Sequence, residues 1–135
     1  MLSPKEIVDK MMANDAMSQW LGIQIKRIEP GNVILNLVVK PEMTNGFGIA
    51  HGGITYSLSD TCIAFSANAY GRKAVSVETS ISHLKPVKVG DVLTTEIEEI
   101  NLTQSFGVYS IKIYTQNNVL VSVFKGTMYR KGDWI

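Results

Sequence analysis

The sequence predicts an α+β fold: an antiparallel sheet of about five to six strands curls around one long central helix, with a short helix ahead of both. Three observations predict it. Residues 52–70 hold Ile, Leu, Phe, Cys, several Ala and small hydroxyls with Asp60 as the one formal charge, so this helix is apolar nearly all round and has to be enclosed. Two strand-like runs precede it and four follow without a break, enough sheet to enclose it. Val33, Leu35, Leu37 and Val39 alternate with a mixed face, the pattern of a half-buried strand.

The elements follow in order. Ser3-Pro4-Lys5-Glu6 reads as a helix start, with Ser as N-cap, Pro at the first helical position and Glu at the third. Ile7, Met11 and Met12 then give an amphipathic helix to about Asp15, and a shorter helical turn follows over 17–21. Pro30-Gly31 separates strands over 23–29 and 32–40. Residues 41–53, PEMTNGFGIAHGG, form a loop of a length that is often functional, and the long helix stops near Gly71. Strands over 73–84, 92–100, 107–116 and 119–130 complete the chain, with Asn117-Asn118 suited to a tight hairpin. There is no internal repeat and no linker, so residues 1–135 are expected to form one domain.

Composition excludes several classes of function. Thirteen basic and 12 acidic residues, spread along the chain, give a formal charge of +1 and no basic stripe for nucleic acid. The single cysteine, Cys62, forms no internal disulfide and fits a reducing, cytoplasmic setting. No apolar run reaches the ~18 residues of a membrane span, and the charged N-terminus is not a signal peptide. Two histidines with no Cys or Asp/Glu at ligand spacing make no metal site, and no nucleophile elbow, Walker loop or dinucleotide fingerprint is present.

Asp60 and the glycines ahead of the helix carry the chemistry. Asp60 has no cationic neighbour at helical spacing, so it either points to water at the edge of the buried face or is a cleft carboxylate available for catalysis. His51-Gly52-Gly53 stands where the helix begins, where unpaired N–H groups stabilise developing negative charge and missing side chains allow close approach. Eight residues of helix separate Gly52 from Asp60, a rise of roughly 12 Å. An oxyanion donor and a group that attacks or activates water must meet at one carbon, so if both act in one site they come from two subunits. The same ruler puts Cys62 roughly 16 Å from His51, which rules out an intrachain dyad.

The stretch from Asn45 to Thr61 has the pattern N-x₅-H-G-G-x₆-D and resembles the hotdog-fold acyl-CoA thioesterases, specifically the PaaI-like group of phenylacetate-pathway enzymes. The resemblance covers nearly the whole chain, with Ser76-Val77-Glu78 and Leu84-Lys85-Pro86 matching the following strand and turn. It implies hydrolysis of an aryl-acetyl- or medium-chain acyl-CoA, with the coenzyme A thioester as substrate and no further cofactor. It also implies a homodimer that forms the active sites, and a homotetramer built from two dimers. Asp60 would be nucleophile or general base, and Gly52, with Gly53, the oxyanion donor from the opposite subunit. Asn45 and His51 would orient the loop, thioester or water, Ser76 would hold that water, and Thr61 would be a supporting hydroxyl. His83 and Lys85, with Arg72, Lys73 and Lys88, are the candidates for the coenzyme A phosphates. Met residues, Trp20, Phe47 and Tyr56 are available to line the acyl pocket. A hydratase or dehydratase on the same fold, and a non-catalytic acyl-CoA binder, are the alternatives.

Overall fold

A computed structural model describes residues 1–134. The order is α1 (Pro4–Ala13), α2 (Ala16–Leu21), β1 (Gln24–Glu29), β2 (Asn32–Val38), a 3-10 turn (Pro41–Met43), α3 (Gly52–Asn68), β3 (Arg72–His83), β4 (Val92–Leu102), β5 (Phe106–Tyr114) and β6 (Leu120–Asp133). The strands form one antiparallel sheet in the order β1-β2-β4-β5-β6-β3, so β1 and β3 are its edges.

Helix α1 starts where the sequence places it: Ser3 Oγ accepts from the Glu6 N–H and Glu6 Oε1 from the Ser3 N–H. Asp15 starts α2 by accepting from the Ser18 N–H at 2.9 Å. The alternation in β2 buries Val33, Leu35 and Leu37 against α3, which contributes Leu58, Cys62, Ile63 and Phe65 to the same core. From the other strands come Leu93, Tyr109, Ile111, Ile113, Phe124 and Met128. Helix α3 is thus the filling of a half-open sheet, and α1 and α2 cover part of its remaining side, leaving Gly53, Ser57, Asp60 and Ala64 half-exposed.

Two polar groups inside α3 reach across to the sheet, whereas Ser59 donates to the Thr55 carbonyl within the helix. Ser66 Oγ accepts from the Val33 N–H at 3.0 Å, and Cys62 Sγ lies 3.3 Å from the Val33 carbonyl. Burial pushes the Cys62 thiol up to about 11, so it is inert packing rather than a nucleophile. At the far end Tyr70 and Tyr109 both donate to Glu99 Oε2, at 2.7 and 3.1 Å, tying the end of α3 to β4 and β5. Asn118 takes φ 59° in the β5–β6 hairpin, as its sequence suggests. No helix among the described residues is long and apolar enough to cross a membrane.

Candidate active site

The loop before α3 is built from its own polar groups. An isolated bridge between Thr44 and Ala50 pinches it shut. Within it Asn45 Oδ1 accepts from the Phe47 N–H at 2.9 Å and the Ile49 N–H at 3.4 Å. The carboxamide oxygen of Asn45 is therefore spent on the turn, while its NH₂ makes no hydrogen bond among the described residues. Gly48 closes the turn with φ 80°, a conformation side chains resist.

His51 is the N-cap of α3, its Nδ1 accepting from the Gly53 N–H at 2.8 Å. This separates the roles of the two glycines. The Gly53 N–H is satisfied inside the chain, whereas the Gly52 N–H has no partner among the described residues. Neither glycine has a positive φ, but each has an imidazole close to where a Cβ would stand. A Cβ on Gly53 would meet His51 Nδ1 at 3.1 Å, and one on Gly52 would meet His83 Nε2 at 3.0 Å. His83 thus lies over the helix start. Its Nδ1 is 3.3 Å from Thr55 Oγ1, which in turn lies 3.1 Å from the Gly52 carbonyl oxygen.

Cavities open on both sides of this turn. One, of about 390 Å³, is bordered by Asn45, Gly52, Thr55, His83 and Lys85. The other, of about 590 Å³, is bordered by Met17, Trp20, Leu21, Met43, Ile54 and Ser57, with His51 and Gly53 at its edge. The aromatic residues expected around an acyl group divide here. Trp20 lines the larger cavity, but Phe47 is 91% exposed at the tip of its turn. Tyr56 turns to the sheet, bonded to Thr79 Oγ1 at 2.6 Å and edge-on to Phe124.

Asp60 stands apart from this constellation. Helix α3 runs unbroken from Gly52 to Asn68, so the acid lies roughly 12 Å along the axis from the free N–H. Gly53, Ser57, Asp60 and Ala64 share one half-exposed face of the helix. Burial, and next the charge of Asp15, hold the Asp60 carboxyl above its ordinary value. The Thr61 hydroxyl is 2.8 Å from Ser18 Oγ rather than bonded to the acid, and Ser18 Oγ also bonds Asp15 Oδ2 at 2.7 Å. Ser76 shares the helix-facing side of β3 with buried Ala74, before a bulge between Ser76 and Glu78.

The basic candidates also separate. Lys85 borders the smaller cavity. Arg72 and Lys73 lie at the opposite end of the twelve-residue β3, Arg72 bonded to the Gln104 carbonyl and Lys73 over the Trp134 ring. Asp15, Ser18 and Thr55 join the site only through the fold. Asp15-x-x-Ser18 was legible as a helix cap, but nothing in a linear pattern sets it beside Asp60. Among the described residues no cluster of His, Cys, Asp or Glu could hold a metal ion.

A six-stranded antiparallel sheet curled on one long enclosed helix is the architecture of the hotdog-fold thioesterases. The chain belongs to the Thioesterase superfamily, whose model matches residues 47–122, and it is a hydrolase acting on thioester bonds of acyl-CoA. It is 35% identical to the acyl-coenzyme A thioesterase PaaI of Escherichia coli over 125 residues, 93% of this chain and 89% of that one. The structure of that E. coli protein superposes with a TM-score of 0.93 at 33% identity, covering 96% of this chain and 94% of the other. A putative esterase of Archaeoglobus fulgidus is 32% identical over 129 residues, 96% of this chain and 84% of its own. A hypothetical thioesterase protein of Streptococcus pneumoniae solved with coenzyme A has a TM-score of 0.87 at 28% identity, covering 93% and 98% of the two chains.

Proposed function

We propose that the protein hydrolyses an aryl-acetyl- or medium-chain acyl-CoA to the free acid and coenzyme A, in a site shared by two subunits. The observation that carries this is the unbroken helix between Gly52 and Asp60. A free N–H donor and a half-buried acid, both suited to thioester chemistry, are too far apart to meet on one chain. An antiparallel copy of α3 lying on the half-exposed face of Gly53, Ser57, Asp60 and Ala64 brings each acid to the other subunit's helix start. The small residues on that face suit close approach. The free edge of β3 is also long enough to pair with its own copy.

In this reading the thioester oxygen sits on the Gly52 N–H, polarised further by the positive end of the α3 dipole. Asp60 of the opposite subunit attacks the carbonyl carbon or takes a proton from the attacking water. Its raised affinity for a proton suits a base more than an inert surface charge would. Ser76 holds the water, the Asn45 NH₂ faces the thioester, and His51 keeps the helix start in shape. The larger cavity, walled by Met17, Trp20 and Met43, takes the acyl group, and the smaller one takes the pantetheine arm with Lys85 toward the phosphates. The assembly is a homodimer, two of which make a tetramer, acting in the cytoplasm on intermediates of phenylacetate degradation.

The test is thiol release across phenylacetyl-, hydroxyphenylacetyl-, benzoyl- and straight-chain acyl-CoAs, with wild type and Asp60→Asn side by side. Release by wild type alone supports the reading and names the acyl class. Equal release by both removes Asp60 from the mechanism. Loss of an enoyl-CoA double bond without thiol release would make the enzyme a hydratase.

A further inference from the structure

We propose that His83 is a second donor at the oxyanion site, its Nε2–H standing beside the Gly52 N–H to hold the thioester oxygen. The proposal rests on thioester hydrolysis at Gly52 as set out above, and it moves His83 from the phosphates of coenzyme A to the reacting carbonyl.

Three observations place it there. The edge of the ring carrying Nε2 faces Gly52, with Nε2 3.0 Å and Cε1 3.3 Å from the position of a Cβ on that residue. A Cβ lies about 2.5 Å from its own nitrogen, so Nε2 and the Gly52 nitrogen are within roughly 5.5 Å of each other. That spacing admits one oxygen at hydrogen-bond distance from both. Secondly, His83 and Gly52 border the same cavity of about 390 Å³, together with Asn45 and Lys85, so a ligand on the Gly52 N–H meets the imidazole. Thirdly, the ring is tethered at its other nitrogen, Nδ1 standing 3.3 Å from Thr55 Oγ1, which leaves Nε2 on the Gly52 side.

The Thr55 hydroxyl has one proton and two takers, His83 Nδ1 at 3.3 Å and the Gly52 carbonyl at 3.1 Å. When it donates to Nδ1, the neutral ring carries its own proton on Nε2, aimed at the oxyanion position. When it donates to the carbonyl, Nδ1–H donates to Thr55, and the neutral ring would set a lone pair against the oxyanion. The developing negative charge therefore selects the Nε2–H form, and Thr55 is the residue that permits both. Gly52 must be glycine for the same reason: any side chain would fill the gap between the two donors.

A donor that acts in the transition state changes kcat, whereas a contact to a distant phosphate changes KM. The experiment measures both for His83→Phe and His83→Gln with the best thioester of the panel. Loss of one oxyanion donor typically costs about 10²–10³-fold in kcat. The expected result is a fall of at least tenfold in kcat for His83→Phe with KM within about threefold, and a smaller fall for His83→Gln, which still donates. A raised KM with unchanged kcat would return His83 to phosphate binding and overturn the proposal. Equal losses in both variants, or none in either, would overturn it too. If wild type and Asp60→Asn behave as described above while His83→Phe keeps full kcat, this inference alone fails. If wild type releases no thiol, both readings fail.

Discussion

The hydroxyls of Ser18 and Thr61 lie 2.8 Å apart, fastening α2 to the residue next to Asp60. Ser18 is buried, and its Oγ also serves Asp15 Oδ2 at 2.7 Å. Removing it strips a hydrogen bond from a carboxylate and another from a helix hydroxyl. Ser18→Ala is expected to lose about 1–3 kcal/mol of stability, read as a lowered midpoint in urea with an unchanged slope.

Asp60 is itself a stability liability above its folded pKa. Burial and the neighbouring Asp15 raise that pKa, so the unfolded chain releases the proton at lower pH than the folded one. The stabilisation from the protonated form is complete below the ordinary Asp value of about 3.9 and is lost as pH rises through the folded value. Asp60→Asn should therefore melt higher than wild type at pH 7, with the gap closing as pH falls toward 4. Thermal melts across that range check it; a variant less stable at pH 7 would show that Asp60 is held by a favourable partner.

The two glycines should part company. Alanine suits a helix better than glycine by up to about 1 kcal/mol, and neither position needs a positive φ. Gly52→Ala presses its Cβ on His83 at 3.0 Å, which offsets part of the helix gain, so thermal stability should change by less than about 1 kcal/mol while turnover falls at least tenfold. Gly53→Ala presses instead on His51 Nδ1 at 3.1 Å and should weaken the N-cap, offsetting the helix gain. Paired melting and thiol-release assays on the two variants read the difference.

Much of this was legible in the chain. The capped start of α1, the alternation of β2 and the one charge in α3 give element type, burial and the enclosed helix without coordinates. The helix rise alone separates Gly52 from Asp60. What the sequence could not carry is lateral. Asp15 approaches Asp60 only because α2 folds across α3, and the His83 ring reaches Gly52 only because β3 pairs with β6 along its length. Strand ends were similarly displaced: β4 and β6 run on to Leu102 and Asp133, because a sheet partner extends pairing beyond the apolar alternation. The basic residues were the least legible. Charge shows on the page, but which end of a twelve-residue strand meets a cavity does not.

The shared site is tested most directly by mixing two dead chains. Asp60→Asn keeps its helix start, and Gly52→Val keeps its acid; each homodimer alone should release almost no thiol. Unfolded together and refolded at equal amounts, half of the dimers are mixed, and each mixed dimer has one intact site out of two. Recovery to about a quarter of wild-type thiol release is expected. No recovery, with mixed dimers demonstrated by mass, would mean that Gly52 and Asp60 of different subunits do not share a site.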